Sequence, residues 1–302
     1  MAPTQKIAFL GFGEAAQAFL KGWRSVAGFA AEIAAYDLKT DSGDGAVREA
    51  KWADYAQWRV EGAASAPDAV AGADLVFSVV TADQAHQAAV AALPGLARGA
   101  LFFDCDSCAP QTKQLSARDV EAAGGRYVDV AVMAPVHPRL HETPLLIGGP
   151  HATAGAEALR RLGMKLEIHD GPVGAASAVK MVRSVMIKGI EALVCECILT
   201  GERAGVTEAV LATLEDTFPG FDWPARSAYM LERVMTHGVR RAAEMREVAL
   251  TVDGFGLNGA MSRASAEWQQ TIGDLKLNAK QIGVDDYRKL AAAILERIPA
   301  TL

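Results

Sequence analysis

The sequence predicts an α/β domain with a mostly parallel, doubly wound sheet, followed by an all-helical domain. Three observations carry this. Short apolar runs alternate with helix-like segments through the first half of the chain. The first such run enters a glycine-rich turn that opens a helix, and no strand-like run recurs after His169. The division expected is residues 1–170 for the α/β domain and 171–302 for the helical one.

Taken in order, Lys6 to Leu10 reads as the first strand, Gly11 to Gly13 as its turn, and the apolar-periodic residues from Glu14 as the first helix. Ala31 to Tyr36 reads as a second strand ended by Asp37. Residues 40–72, rich in Asp, Gly, Ala and Trp, read only as helix pieces joined by loops. Ala73 to Val80, Ala100 to Asp104, Arg126 to Val132, Leu145 to Gly149 and Lys165 to Ile168 are further strand-like runs. Gly171-Pro172-Val173-Gly174 is a turn. A long apolar helix follows from Ala175 to about Gly201, and the helical remainder is punctuated at Pro219-Gly220, Trp223-Pro224, Gly254 to Gly259 and Gly283. That long helix is apolar on every side. It is expected to pack inside the second domain or at a homodimer contact.

The turn Gly11-Phe12-Gly13-Glu14-Ala15-Ala16 is the sharpest motif. Glycine at Gly11 permits a tight bend, and Gly13 lets backbone approach a pyrophosphate. Ala16 keeps helix and strand close. A helix N-terminus offers unused N–H groups and the positive end of its dipole to phosphates. Asp37, 21 positions beyond Ala16, sits near the spacing of about 20 expected of an acid that binds ribose hydroxyls. NAD is therefore the expected cofactor. Lys39 leaves NADP open, although Asp37 would repel a 2′-phosphate.

Composition narrows the classes. With 36 acidic against 30 basic residues and a net charge of −6, no basic surface for nucleic acid is expected. No apolar stretch reaches the roughly 20 residues of a membrane span. The first apolar run breaks at Gly11, which is not an export signal, so a cytoplasmic protein is expected. Cys105 and Cys108 form a Cys-x-x-Cys with no second half, and Cys195 and Cys197 face different sides of a helix. No metal site is expected.

Lys180 stands between Val179 and Met181 near the start of the long helix. Its residue type and setting fit two readings. One is a half-buried lysine that gives up its proton readily and exchanges it with a hydroxyl. The other is a lysine whose stem snorkels along a helix edge.

The glycine-rich turn at the N-terminal end, Gly171-x-x-Gly174-x(5)-Lys180 about 160 residues later, and the helical tail together resemble the β-hydroxyacid dehydrogenases, relatives of 6-phosphogluconate dehydrogenase. Thr236 to Met245 is similar to a branch of that superfamily with a variant C-terminal domain. The resemblance implies a Rossmann domain and an oxidoreductase that moves hydride between nicotinamide and a small hydroxylated, hydroxy-acid-like substrate. It implies Lys180 as general acid/base, with Ser184 where the family has asparagine four positions on. It implies that Val79, Val80 and Thr81 run beside the cofactor and that Ser107 is the polar turn after the next strand. The family's substrate loop, Asp-x-Pro-Val-Ser-Gly-Gly, matches Asp129-Val-Ala-Val-Met133-Ala134-Pro135. Proline has no N–H, and neither Met nor Ala adopts glycine's dihedrals cheaply. A carboxylate cradle of glycine amides is therefore not carried over.

His137 and Arg139 follow that loop and are candidates to anchor a polar substrate group, with a surface loop as the plainer reading. Pro138 and Pro144 argue against a helical histidine pair with His141. His237, Arg240 and Arg241 share a helical face where the family supplies a C-terminal-domain lysine; a solvated face partnered by Glu244 is the alternative. Two other functions stay open: an imine reductase, against which Lys180 argues, and a dinucleotide-binding sensor without turnover.

Overall fold

A computed structural model of the chain describes residues 5–298; the outermost residues of the two expected domains, 1–4 and 299–302, lie outside it. The chain divides into two compact units, residues 1–181 and 182–302.

In the first unit the strands are β1 (Gln5–Leu10), β2 (Ala31–Tyr36), β3 (Glu61–Gly62), β4 (Leu75–Ser78), β5 (Leu101–Asp104), β6 (Arg126–Val132), β7 (Leu145–Gly148) and β8 (Leu166–Ile168). Between them run helices α1 (Glu14–Trp23), α2 (Gly45–Gln57), α3 (Ala66–Val70), α4 (Ala85–Ala92), α5 (Pro110–Ala122) and α6 (Ala152–Arg161). The sheet order is β3-β2-β1-β4-β5-β6-β7-β8. All neighbours are parallel except β6 and β7. The chain steps outward from β1 in both directions, so a crevice opens at the C-terminal ends of β1 and β4.

Side-chain alternation explains the layers. Phe9, Phe77, Phe103 and Val128 face Phe19 and Trp23 of α1 and Ala156 and Leu159 of α6. Leu10, Val76, Phe102 and Tyr127 face Val70 of α3, Ala89 of α4 and Val120 of α5. Phe77 and Phe103 stack with centroids 4.8 Å apart.

Residues 40–72 resolve into α2, the two-residue strand β3 and α3. Their pattern was unreadable because α2 buries only Lys51 and Tyr55, which leaves no apolar stripe. The expected strands from 73 and 100 are shorter, and β7 runs antiparallel because it returns from β6 by a loop with no crossover helix.

α7 (Ala175–Ala204) passes from one unit into the next. The second unit adds α8 (Thr207–Thr217), α9 (Trp223–Gly254), α10 (Ala260–Asp274), α11 (Ala279–Ile282) and α12 (Tyr287–Leu295). Its core gathers Ile198, Leu211, Leu231, Val234, Ile272, Leu290 and Ile294. Pro224 lies in the first turn of α9, where a missing N–H costs nothing. α9 and α10 touch backbone to backbone: a Cβ on Gly238 would sit 2.3 Å from the Gln269 carbonyl, and one on Gly273 2.5 Å from the Val239 nitrogen. No helix among the described residues is long and apolar enough to cross a membrane.

Candidate active site

Gly11 has φ +81°, a left-handed conformation that favours glycine, and a Cβ there would lie 2.9 Å from the Val79 carbonyl oxygen. The bend is therefore required twice, by dihedral and by contact with the chain leaving β4. Gly13 is different. A Cβ there would meet nothing within 4 Å among the described residues, and no side chain caps α1. The N–H groups of its first turn are left unused by the helix itself. This is an open, positively polarised backbone surface suited to a pyrophosphate.

Phe12 contributes backbone only. Its ring is fully buried, 5.5 Å from Tyr55 and 6.0 Å from Phe9. Ala16 is buried, Ala15 half-buried and Glu14 exposed. The Phe12 N–H donates to Asp37 Oδ2 at 2.9 Å, and the Lys39 N–H to Asp37 Oδ1 at 3.0 Å. Each carboxylate oxygen keeps lone pairs for a ribose hydroxyl. Lys51 lies beneath, 5 % exposed, donating to the Phe12 carbonyl at 2.9 Å and standing 3.9 Å from Asp37. It ties the turn to the acid, and sequence reading missed it because α2 was not delineated.

At the ends of β4 and β5, Val79 and Val80 are half-buried and Thr81 exposed. The Lys180 ammonium donates to the Ser107 hydroxyl at 2.6 Å, and both residues are half-buried. What holds Lys180 there is Asp129 on β6. Its carboxylate accepts from Gly174 N (3.0 Å), Ser177 N (3.1 Å) and the Ser177 hydroxyl, closing the N-terminus of α7 one turn before Lys180.

Beneath lies a fully buried polar cluster. Lys113 of α5 donates to the carbonyl and the Oδ1 of Asp104, each at 2.6 Å, and stands 3.9 Å from Asp129. The Tyr127 hydroxyl donates to Asp104 at 2.5 Å. Burial alone would lower the Lys113 pKa, but Asp104, followed by Cys108, Asp129 and Asp106, raises it above the usual lysine value. Burial, then the Asp104 charge, pushes Asp106 well above the ordinary carboxylate range. Cys105 and Cys108 are buried here, and burial pushes the Cys105 thiol up. Among the described residues no group of three or more His, Cys, Asp or Glu side chains is placed to hold a metal ion.

Of the loop residues, Met133 and Ala134 are half-buried and Pro135, His137 and Arg139 exposed. The loop is pinned by His141, a buried ring lying against Gly22 near the far end of α1 and against Gly163. Leu140 to Glu142 form one 3-10 turn.

In the second unit, Ser184 is buried and accepts from Lys188 at 3.4 Å. Lys188 pairs with Glu244 at 2.7 Å, and burial lowers its pKa against that pull. Arg240 also pairs with Glu244, at 3.0 Å. Arg241 is buried and paired with Glu191, which Gln269 also contacts at 3.3 Å. Burial lowers the Arg241 pKa. The Lys188–Glu244 and Arg241–Glu191 pairs bridge α7 to α9, so Arg241 is committed to helix packing. His237 is half-buried on the same helix.

Residues 6–165 match the family of the NAD binding domain of 6-phosphogluconate dehydrogenase, more than half of the chain. The chain belongs to that family. Residues 202–272 match a domain of unknown function, DUF1932. A conserved hypothetical protein from Sinorhizobium meliloti is 40% identical with a TM-score of 0.71, covering 98% of this chain and 97% of that one. MTH1747, a conserved protein of unknown function described as structurally similar to 3-hydroxyacid dehydrogenases, is 26% identical with a TM-score of 0.64, covering 91% and 98%.

Two likenesses show the fold alone. The Mycobacterium tuberculosis 3-hydroxyisobutyrate dehydrogenase with L-serine is 16% identical, TM-score 0.66, covering 97% and 98%. An imine reductase from Myxococcus stipitatus in complex with NADP+ is 18% identical, TM-score 0.52, covering 98% and 99%. An uncharacterized 28.5 kDa protein of Methanothermus fervidus is 26% identical over 150 residues, and the match spans 57% of its length and 50% of this chain. Within this hydroxyacid dehydrogenase-like fold, Gly11, Gly13, Asp37 and Val79 to Thr81 lie together just past the C-terminal ends of β1, β2 and β4.

Proposed function

We propose that this protein is an NAD(P)-dependent oxidoreductase that moves hydride between nicotinamide and a small hydroxylated substrate, hydroxy acids among them, with Lys180 as general acid/base. The observation that supports it most is the Lys180–Ser107 hydrogen bond of 2.6 Å. It lies just past β5, at the same end of the sheet as the glycine turn after β1 and the Val79–Thr81 segment after β4.

The open backbone at Gly13 and the lone pairs left on Asp37 fit a dinucleotide. The first turn of α1 would bind the pyrophosphate, and Asp37 would accept from ribose hydroxyls, which favours NAD. The cofactor supplies the hydride chemistry when bound. Lys180 Nζ as the free amine takes the proton of the substrate hydroxyl during oxidation, and as the ammonium returns it during reduction, where its positive charge favours negative charge on the substrate oxygen. Ser107 holds the ammonium in one direction meanwhile. In the second unit Val182, Met186 and Leu193 of α7 are exposed, which supports a homodimer that light scattering would report.

The test is NADH or NADPH formation over a panel of small alcohols and hydroxy acids, and the reverse reaction over carbonyls and imines, with Lys180→Ala as control. Lysine-dependent oxidation of an alcohol is the expected result. Nucleotide binding without any lysine-dependent rate would instead assign a sensor.

A further inference from the structure

We propose that Asp106 is the positioning residue of the dinucleotide cleft: its carboxyl ties Ser78 and Val80 to the strand end that carries Ser107, and so fixes the spacing between the glycine turn and the Lys180–Ser107 pair. This rests on the cofactor reading above, and nothing in that reading uses Asp106.

The geometry is specific. The β1–β4 ladder ends where the Val79 N–H donates to the Leu10 carbonyl at 2.9 Å. One residue further, the Val80 N–H is taken by Asp106 Oδ1 at 2.6 Å. The other oxygen, Oδ2, accepts from the Ser78 hydroxyl at 2.6 Å, and the Asp106 N–H donates to Asp104 Oδ1 at 3.0 Å. A carboxyl with two separate oxygens thus holds two points of one strand end while its own backbone is anchored to another. Asp106 is 3 % exposed, too buried to touch substrate, so it acts through its neighbours.

The neighbours matter because the glycine turn rests on them. A Cβ on Gly11 would lie 2.9 Å from the Val79 carbonyl and 3.0 Å from Val80 Cγ1. Any shift of Val80 therefore either presses on the turn or opens a gap beside it. On the other side Asp106 is followed directly by Ser107, the acceptor for Lys180. One buried side chain thus links the chain leaving β4, which the glycine turn touches, to the residue next to Ser107. Burying a carboxyl beside Asp104 is costly unless its hydrogen bonds compensate. The charged groups acting on it are Asp104 and Lys113.

The experiment titrates NADH into the whole chain by calorimetry, comparing wild type, Asp106→Asn and Asp106→Ala, with NADPH titrated into wild type as well and circular dichroism on each. Asparagine keeps an acceptor for Val80 and an N–H for the Ser78 oxygen, whereas alanine keeps neither. Asp106→Ala is expected to bind NADH at least about tenfold more weakly, in line with the loss of one or two buried hydrogen bonds. Asp106→Asn is expected to stay within about threefold of wild type, as conservative rescue requires. If Asp106→Ala does not fold, Asp106→Ser, polar but too short to reach Val80, takes its place with the same expected loss. Binding by Asp106→Ala, or by its serine substitute, within threefold of wild type would overturn the proposal. So would a loss in Asp106→Asn as large as in alanine. A wild type that binds NADH but shows no lysine-dependent turnover removes the dehydrogenase reading and leaves this one standing; a wild type that binds neither nucleotide removes both.

Discussion

The Lys180 ammonium donates to the Ser107 hydroxyl at 2.6 Å, joining the second turn of a long helix to the end of a central strand. General acid/base groups contribute about 10²- to 10⁴-fold. Lys180→Ala is expected to lower kcat by that range while leaving NADH affinity within about twofold. Ser107→Ala keeps the ammonium but frees its direction, so a smaller loss, about tenfold, is expected, with a changed pH profile of kcat. Steady-state kinetics with calorimetric binding checks both; a kcat unchanged in Lys180→Ala would end the general-acid role.

Asp129 caps the helix that carries Lys180, and Lys113 stands 3.9 Å behind it. Lys113 is completely buried against Asp104. Replacing it with methionine leaves two buried carboxylates without their cation. Breaking such a pair from one side costs about 3 to 5 kcal/mol. Urea unfolding of Lys113→Met should show a loss of that size, and a midpoint equal to wild type would mean that the cluster contributes nothing to stability.

Much of this was legible in the sequence, for physical reasons. β1, β2 and β6 are buried along their central residues, and their apolar runs match their ends closely. Gly11 and Asp37 could be found because a tight bend and an acid at a strand end leave residue types behind. Lys180 stood out as a charge in an apolar helix. Asp106, Lys113 and Lys51 did not, because a buried charge is recognised by its partner, and Asp104 and Asp37 are distant from Lys113 and Lys51 in register or in sequence. Arg241 reads as a site candidate or as part of a solvated face partnered by Glu244, because its partner Glu191 lies 50 positions away on another helix. A signal for Asp106 did exist: an Asp-x-Asp at the end of an apolar strand, and both of its acids are buried.

Asp106 should also register in the pH dependence of stability. Burial, followed by the Asp104 charge, holds its folded-state pKa well above the unfolded value of 3.8. The native state therefore binds the proton more tightly. That contribution is complete below pH 3.8 and is lost as pH rises towards the folded-state pKa, by at most about 1.4 kcal/mol per pH unit. Asp253 has a depressed pKa from its bonds to Gly259 and Arg263, so it works in the opposite direction. The clean measure is the difference between wild type and Asp106→Asn: wild type should lose ground to the variant as pH rises from 4. A difference that is flat with pH would show that Asp106 is ionised in both states.

Asp37 takes the N–H groups of Phe12 and Lys39 on its two oxygens while a dinucleotide would use the remaining lone pairs. Asp37→Ser should weaken NADH about tenfold or more, since a charge-assisted contact and a turn anchor go together. NADPH should suffer less, because the repulsion against a 2′-phosphate goes too. The ratio of the two dissociation constants is the reading, and equal losses for both nucleotides would remove Asp37 from cofactor choice.

The contact between α9 and α10 leaves no room for a side chain at Gly238, whose Cβ would lie 2.3 Å from a carbonyl oxygen. That obstacle is backbone in the middle of a helix, so it cannot swing aside as a flexible side chain would. The helices must separate, and the ion pairs of Arg241 and Lys188 that bridge α9 to α7 are carried on the helix that moves. Overpacking of this kind costs about 1 to 3 kcal/mol in ordinary cores, and Gly238→Ala belongs at the upper end. Intrinsic helix propensity pulls the other way by about 1 kcal/mol in favour of alanine. The sign of the measured change therefore decides between them: a lowered urea midpoint means that close approach of the helices set the residue, whereas a raised one means that helix propensity outweighs it.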